Sequence, residues 1–186
     1  MNEINYPFPD RILARQELAR DRMCHKIPPA LRPQLCDEAW RTGCEAAGRA
    51  LGALGPGPGL VERLLAASGL RVEQQDRDQV AAGQRIFAEY SSREHTVCLY
   101  TRSIGRYAAE NGLAPAEARA LILAHEYFHF LESTSLGQVS GRYTVPCIQI
   151  GPFRFGRSGV QALSEIAAHG FARTCWEAER KQCLGE

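Results

Sequence analysis

His125 and His129 stand four residues apart in the stretch AHEYFHF, and Glu126 lies between them. On a helix, residues at i and i+4 share one face about a turn apart, so both imidazoles can reach a single ion while Glu126 projects from the flank. Neutral imidazoles bind zinc, and a carboxylate beside the metal can take a proton from water. The spacing therefore predicts metal-assisted hydrolysis, with Zn²⁺ as cofactor, His125 and His129 as ligands and Glu126 as general base. The surroundings strengthen the expectation. Leu121, Ile122, Leu123, Tyr127, Phe128, Phe130 and Leu131 leave the helix hardly any polar face, and buried imidazoles without partners are costly.

A zinc site needs a third protein ligand. The HExxHxxGxxH arrangement does not supply it, because Glu132 and Ser135 occupy the positions of its glycine and last histidine. In ALSEIAAHGFA, Glu165 and His169 are four apart on an expected final helix, and either can project toward the first pair. Spacing alone leaves both open, one as ligand and the other as a hydrogen-bonding neighbour of a ligand. A di-iron centre would require a second Glu-x-x-His, and Glu126 to His129 is the one present. Arg142 and Tyr143, in the loop between the two motifs, are candidates to stabilise the oxyanion formed when water attacks a carbonyl. His25 and His95 read as solvated.

These residues need elements to hold them. Helices are expected over 10–26 and 33–54; in the second, Cys36, Trp40, Cys44, Ala47, Leu51 and Leu54 recur at helical steps and Pro33 suits the first turn. GPGPG at 55–59 breaks the chain, and LVERLLAAS follows as a short helix that Gly69 can close in a left-handed cap. LRVEQQ predicts a strand. QRIFAEYSSREHTVCLYT predicts a hairpin turning at Ser91 to Glu94. A short helix over 102–111 closed by Gly112 leads to the long motif helix, 115–132, which opens on Pro115. Residues 133–159 read as loop with extended segments, and a helix from 160 to 180 ends the chain. The hairpin strand TVCLYT is a candidate edge for an extended peptide.

Composition narrows the partners. The 186 residues are 45% hydrophobic with a net charge of +1, which fits a globular domain with a sizeable core. Lys and Arg are scattered, so neither nucleic acid nor an anionic membrane is expected to bind. The charged N-terminus lacks the apolar run of a secretory signal, which points to a soluble, cytoplasmic protein. Seven cysteines at irregular spacings, with no CxxC, signal neither a disulfide framework nor a cysteine zinc site; most are expected to be small buried apolar residues.

The order helix, strand, hairpin, HExxH helix, then a helix bearing E-x-x-A-x-x-F-A (Glu165, Ala168, Phe171, Ala172) resembles the ImmA/IrrE family of small gluzincin metallopeptidases, over roughly residues 57 to 176. The resemblance implies zinc on His125, His129 and Glu165, with Glu126 as catalytic base. It also implies a protein substrate, since members of the family are associated with cleaving DNA-binding repressors. The chain differs from the family at Phe128, where a small residue is usual, in the longer stretch between the motifs, and in RTCWEAERK where Leu-Leu-Met-Pro is usual. Phe128 and the long stretch could narrow or cover the cleft. The fold expected is α+β and zincin-like: an N-terminal helical segment, 1–55, and a metallopeptidase domain, 56–186, with a small sheet, the HExxH helix and a Glu-bearing C-terminal helix. The activity expected is a zinc metallopeptidase acting on a protein or peptide; the alternative is a zinc-containing regulatory module that binds a partner without cleaving it.

Overall fold

The structure, a computed structural model, describes residues 8–55, 57 and 59–183. Residues 1–7 and 184–186 of the two expected segments, and Pro56 and Pro58 of the expected break, lie outside the described residues. What is described is an α+β arrangement of six α-helices and three small sheets. No helix among the described residues is long and apolar enough to cross a membrane.

The first expected helix is shorter than 10–26. Helix α1 spans Ala14–Arg20, and a 3-10 turn follows at Cys24–Lys26. Asp21 causes the break: its backbone is extended, its Oδ1 accepts from Met23 N at 2.7 Å, and its Oδ2 accepts from Ala162 N at 2.9 Å. A short acidic side chain thus stops one helix and satisfies a free N–H at the start of another. Helix α2, Arg32–Leu54, and helix α3, Leu60–Ser68, fall where periodicity places them, and Gly69 caps α3 at φ +70°.

Strand β1 (Arg71–Gln75) runs parallel to β5 (Thr96–Tyr100), and β4 (Ala88–Ser91) pairs antiparallel with β5 on its other side. β5 is therefore the central strand of a sheet ordered β1-β5-β4. This corrects the expectation that TVCLYT offers a free edge: both of its edges are taken, and the open edge beside it is that of β4. The segment before β4 forms a separate ribbon, β2 (Gln79–Ala81) with β3 (Gln84–Ile86). Helix α4 (Thr101–Asn111) follows β5 directly, Gly112 ends it at φ +65°, and helix α5 spans Pro115–Leu131 with Pro115 in its first turn. Residues 133–159 carry more regular structure than a loop. A π-helical turn, Glu132–Leu136, continues α5, and β6 (Thr144–Ile150) and β7 (Phe153–Gly159) make a long hairpin. Helix α6 spans Gln161–Cys183.

Helix α6 is the central packing element, contacted by α1, α2, α3 and α5. Ala39, Ala46 and Ala47 of α2 share one buried cluster with Phe128 of α5 and Ile166 and Phe171 of α6. The α2–α6 crossing is close because glycine faces backbone on both sides. A Cβ on Gly43 would lie 1.8 Å from the Ala167 carbonyl oxygen, and one on Gly170 would lie 2.6 Å from that of Trp40. Of the six cysteines whose side chains are described, Cys24, Cys36 and Cys175 are buried, Cys44 and Cys98 half-buried and Cys147 exposed, all as free thiols.

Helix α2 also carries Gly48, where an added Cβ would meet no atom of another part of the chain within 4 Å. Gly48→Ala is expected to raise stability by about 0.5–1 kcal/mol through helix propensity, whereas Gly43→Ala must push two backbones apart and lower it by about 1–3 kcal/mol or more. Paired denaturant unfolding curves read the contrast directly.

Candidate metal centre

Helix α5 brings His125 and His129 onto one face, and α6 lays Glu165 against them. His125 Nε2 lies 3.3 Å from His129 Nε2 and 3.2 Å from Glu165 Oε2, and His129 Nε2 lies 3.6 Å from Glu165 Oε1. Donors held tetrahedrally about 2.0–2.1 Å from a small divalent cation are separated by about 3.3 Å. The three side chains have that spacing and the donor types that suit such an ion. The only ion-pair partners of Glu165 among the described residues are these two imidazoles. The group can hold a metal ion.

His129 is held from behind. Its Nδ1 donates to Glu132 Oε2 at 2.9 Å, which leaves Nε2 to face His125 and Glu165. Glu132 is almost wholly buried, at 3% exposure. Its Oε1 accepts from Val139 N at 2.8 Å and from Ser164 Oγ at 2.6 Å, and Ser164 Oγ in turn accepts from Ser140 N at 3.0 Å. The π-helical turn that carries Glu132 is stabilised locally, because Ser133 and Thr134 both donate to the Phe130 carbonyl and Ser135 to that of Leu131.

The electrostatics match the geometry. Burial disfavours a charged His129, but its hydrogen bonds to the Glu132 and Glu165 carboxylates outweigh it and raise its pKa to about 10. Burial also opposes ionisation of Glu165, yet His125 and His129 hold its carboxyl well below the usual range. Burial pushes the Glu126 carboxyl up, against the pull of both histidines. Glu126 accepts no hydrogen bond among the described residues and lines the same cleft as the ligands, so it is free to meet a water there.

The cleft, ≈ 450 Å³, is walled by Ala88, Glu89 and Tyr90 of β4 on one side and by Gln161, Ser164 and Glu165 of α6 on the other, with His125, Glu126 and His129 between. Tyr90 ties the strand to the π-helical turn that continues α5 through a 2.7 Å hydrogen bond with Ser133 Oγ. A slightly larger cavity, ≈ 510 Å³, lies among α3, α5 and α6, but its polar groups are occupied: Glu117 accepts from Trp176 Nε1 and Arg180, and Glu179 from Leu60 N.

Other expected residues fall elsewhere. The His169 ring stacks obliquely on His125, centroids 4.8 Å apart, and burial first and His125 second lower its pKa to about 3, so it is neutral. Its nitrogens are not part of the three-residue donor group. Tyr143 is half-buried against the core and does not line the cleft, and Arg142 donates to Thr42 Oγ1 on α2. Phe128 does not cover the cleft either; it is wholly buried, its ring 5.9 Å from that of Phe171. His25 and His95 are exposed, as expected. Missing from the sequence reading are Glu132 and Ser164 behind His129, the β4 edge, and Gln138 and Gln161 on the cleft rim. The available signal for Glu132 was its i+3 spacing from His129. No protein-family model, curated protein or solved structure matches the chain.

Three outcomes follow from this chemistry. Glu132→Gln turns one of two accepting oxygens into an NH₂ donor, so either His129 Nδ1 or Val139 N and Ser164 Oγ lose their acceptor, and zinc binding should weaken roughly 10–100-fold, less than in Glu165→Ala, which removes a donor atom; competition titration with a chelating dye gives the ranking. In metal-free protein, His129 raised from 6.5 to about 10 contributes stability that is complete below pH 6.5 and lost as pH rises through about 10. Glu165, lowered from 4.5, contributes stability above that value that is lost in acid. Metal must displace the extra His129 proton, so zinc uptake near pH 7 should release about one proton. Titration calorimetry in buffers of different ionisation heat measures the release.

Proposed function

We propose that the chain is a zinc-dependent metallopeptidase of zincin type, similar to the ImmA/IrrE gluzincins, that hydrolyses peptide bonds of a protein substrate. The observation that supports this most is the shared cleft. The nitrogens of His125 and His129 and the carboxylate of Glu165 converge in it, with Glu126 beside them and without a hydrogen-bonding partner among the described residues. His₂Glu is a donor set typical of catalytic zinc, which leaves room for substrate and water.

When bound, zinc supplies Lewis acidity, lowering the pKa of water and polarising a carbonyl oxygen. The remaining work falls to the chain. Glu126, its pKa raised by burial, accepts the proton of the attacking water and delivers it to the leaving amine, and a base shifted toward neutrality suits both transfers. Glu132 keeps the Nδ1 proton on His129. The open edge of β4, beside the ligands, can pair with an extended substrate backbone, and the cleft wall at Ala88, Glu89 and Tyr90 would then run along the peptide. Gln138 and Gln161 line the same cleft and Tyr143 does not, so their amides are better candidates to donate to a developing oxyanion.

Glu126→Gln keeps shape but cannot take a proton. It should retain zinc and fold while cleavage of an unfolded protein substrate falls by roughly 10² to 10⁴. Equal turnover by wild type and variant would remove Glu126 from the reaction. A wild type that binds protein chains but leaves them intact would make the chain a regulatory binding module.

A further inference from the structure

The β6–β7 hairpin presents an apolar face to solvent. Ile148 pairs across the strands with Phe155, and Ile150 with Phe153. Residues two apart on a strand share a face, so all four side chains lie on the same side. Their exposures are 57% for Ile148, 66% for Ile150, 65% for Phe153 and 54% for Phe155, and the two phenylalanine rings stack with centroids 6.5 Å apart. Half of the chain's eight large exposed hydrophobic residues among those described are therefore gathered on this one ribbon.

The ribbon is built to hold its shape. Gly151 at φ +59° followed by Pro152 makes a tight two-residue turn of the kind that keeps hairpin strands in register. Lys26 Nζ donates to the carbonyls of Pro146 (2.9 Å) and Cys147 (2.5 Å), which anchors one edge of the ribbon to the N-terminal helices. At its base, Val160 N donates to the Ser140 carbonyl at 2.9 Å, and Ser140 N donates to Ser164 Oγ, which bonds Glu132 and through it His129. Both ends of the ribbon also lead to the cleft rim: Gln138 precedes it and Gln161 follows it.

We infer that this face is a docking surface for an apolar segment of the polypeptide whose scissile bond enters the cleft; the identity of the occupant rests on the peptidase reading. Two observations favour a substrate over a second copy of the chain. Four side chains so exposed offer on the order of 500 Å², short of the about 800 Å² per partner of a stable complex. The hairpin is also joined at both ends to the cleft in which the same polypeptide would be bound.

The test uses zinc-loaded full-length Glu126→Gln protein and reduced, alkylated α-lactalbumin as an extended polypeptide probe, with binding read by fluorescence anisotropy. Adding Ile148→Ser, Ile150→Ser, Phe153→Ser and Phe155→Ser should weaken binding about tenfold or more, with zinc content and melting temperature unchanged. An apolar replacement set, Ile→Val and Phe→Leu at the same positions, should restore most of the binding. Equal binding by the serine variant, or no binding by the parent protein, overturns the proposal. So does a concentration-dependent dimer, seen by light scattering, that the serine changes abolish, because the face then belongs to a second copy. Binding that depends on the hairpin in a protein whose wild type cleaves nothing leaves the docking surface standing and refutes the peptidase reading alone.

Discussion

A carboxylate shut away from water is tolerable only when its oxygens are hydrogen-bonded, since an unpaired buried acidic group costs several kcal/mol. Glu132 meets that condition by gathering three partners from three parts of the chain: Val139 N in the connection after α5, Ser164 Oγ on α6 and Nδ1 of His129 on α5. Each bond has a structural consequence. The first fixes where the chain leaves α5, the second sets the two central helices in register, and the third fixes the tautomer and orientation of an imidazole in the group that can hold a metal ion. The position of Glu165 opposite the histidines follows from that register, as does the base of the β6–β7 hairpin through Ser140.

Around this polar centre the packing is almost wholly apolar and unusually tight on one side. Phe128, Phe171, Ile166 and Leu123 are fully buried, and Gly43 and Gly170 let α2 lie backbone to backbone on α6. The cost of glycine within helices is offset by this close approach. A rigid α6 benefits the metal centre, because Glu165 sits between the Gly43 crossing at Ala167 and the helix start that Asp21 caps. The N-terminal helices thus hold the helix that carries Glu165 in place.

Much of the fold, and the three residues whose donor atoms converge, were legible in the sequence. Helix α5 could be read because its periodicity, Pro115 and HExxH all agree, and α2 because its apolar steps run unbroken from Cys36 to Leu54. The rest depended on contacts between residues distant in sequence. Asp21 looks like any helical surface residue until its carboxylate is seen bonded to Ala162 N, 141 residues away. TVCLYT looks like an edge until β1 is found beside it in parallel. The stretch from 133 to 159 that holds β6 and β7 is rich in glycine and serine, and the alternating Ile and Phe of the hairpin face outward, so the usual link between apolar alternation and a buried face fails there. Glu132 is hidden for a related reason: glutamate is ordinarily exposed, and only the folded chain brings its partners together. Spacing left Glu165 and His169 equivalent. Helix rotation separates them, turning Glu165 toward both Nε2 atoms and placing His169 against the ring of His125.

Zinc-edge anomalous diffraction from crystals of zinc-loaded protein tests the metal centre most directly. A centre built on His125, His129 and Glu165 requires one strong peak about 2.0–2.2 Å from both Nε2 atoms and a Glu165 oxygen, with Glu126 close by but outside bonding distance of the ion. A peak bonded to His169 in place of Glu165, a peak away from the His125–His129 pair, or no peak at all would contradict it.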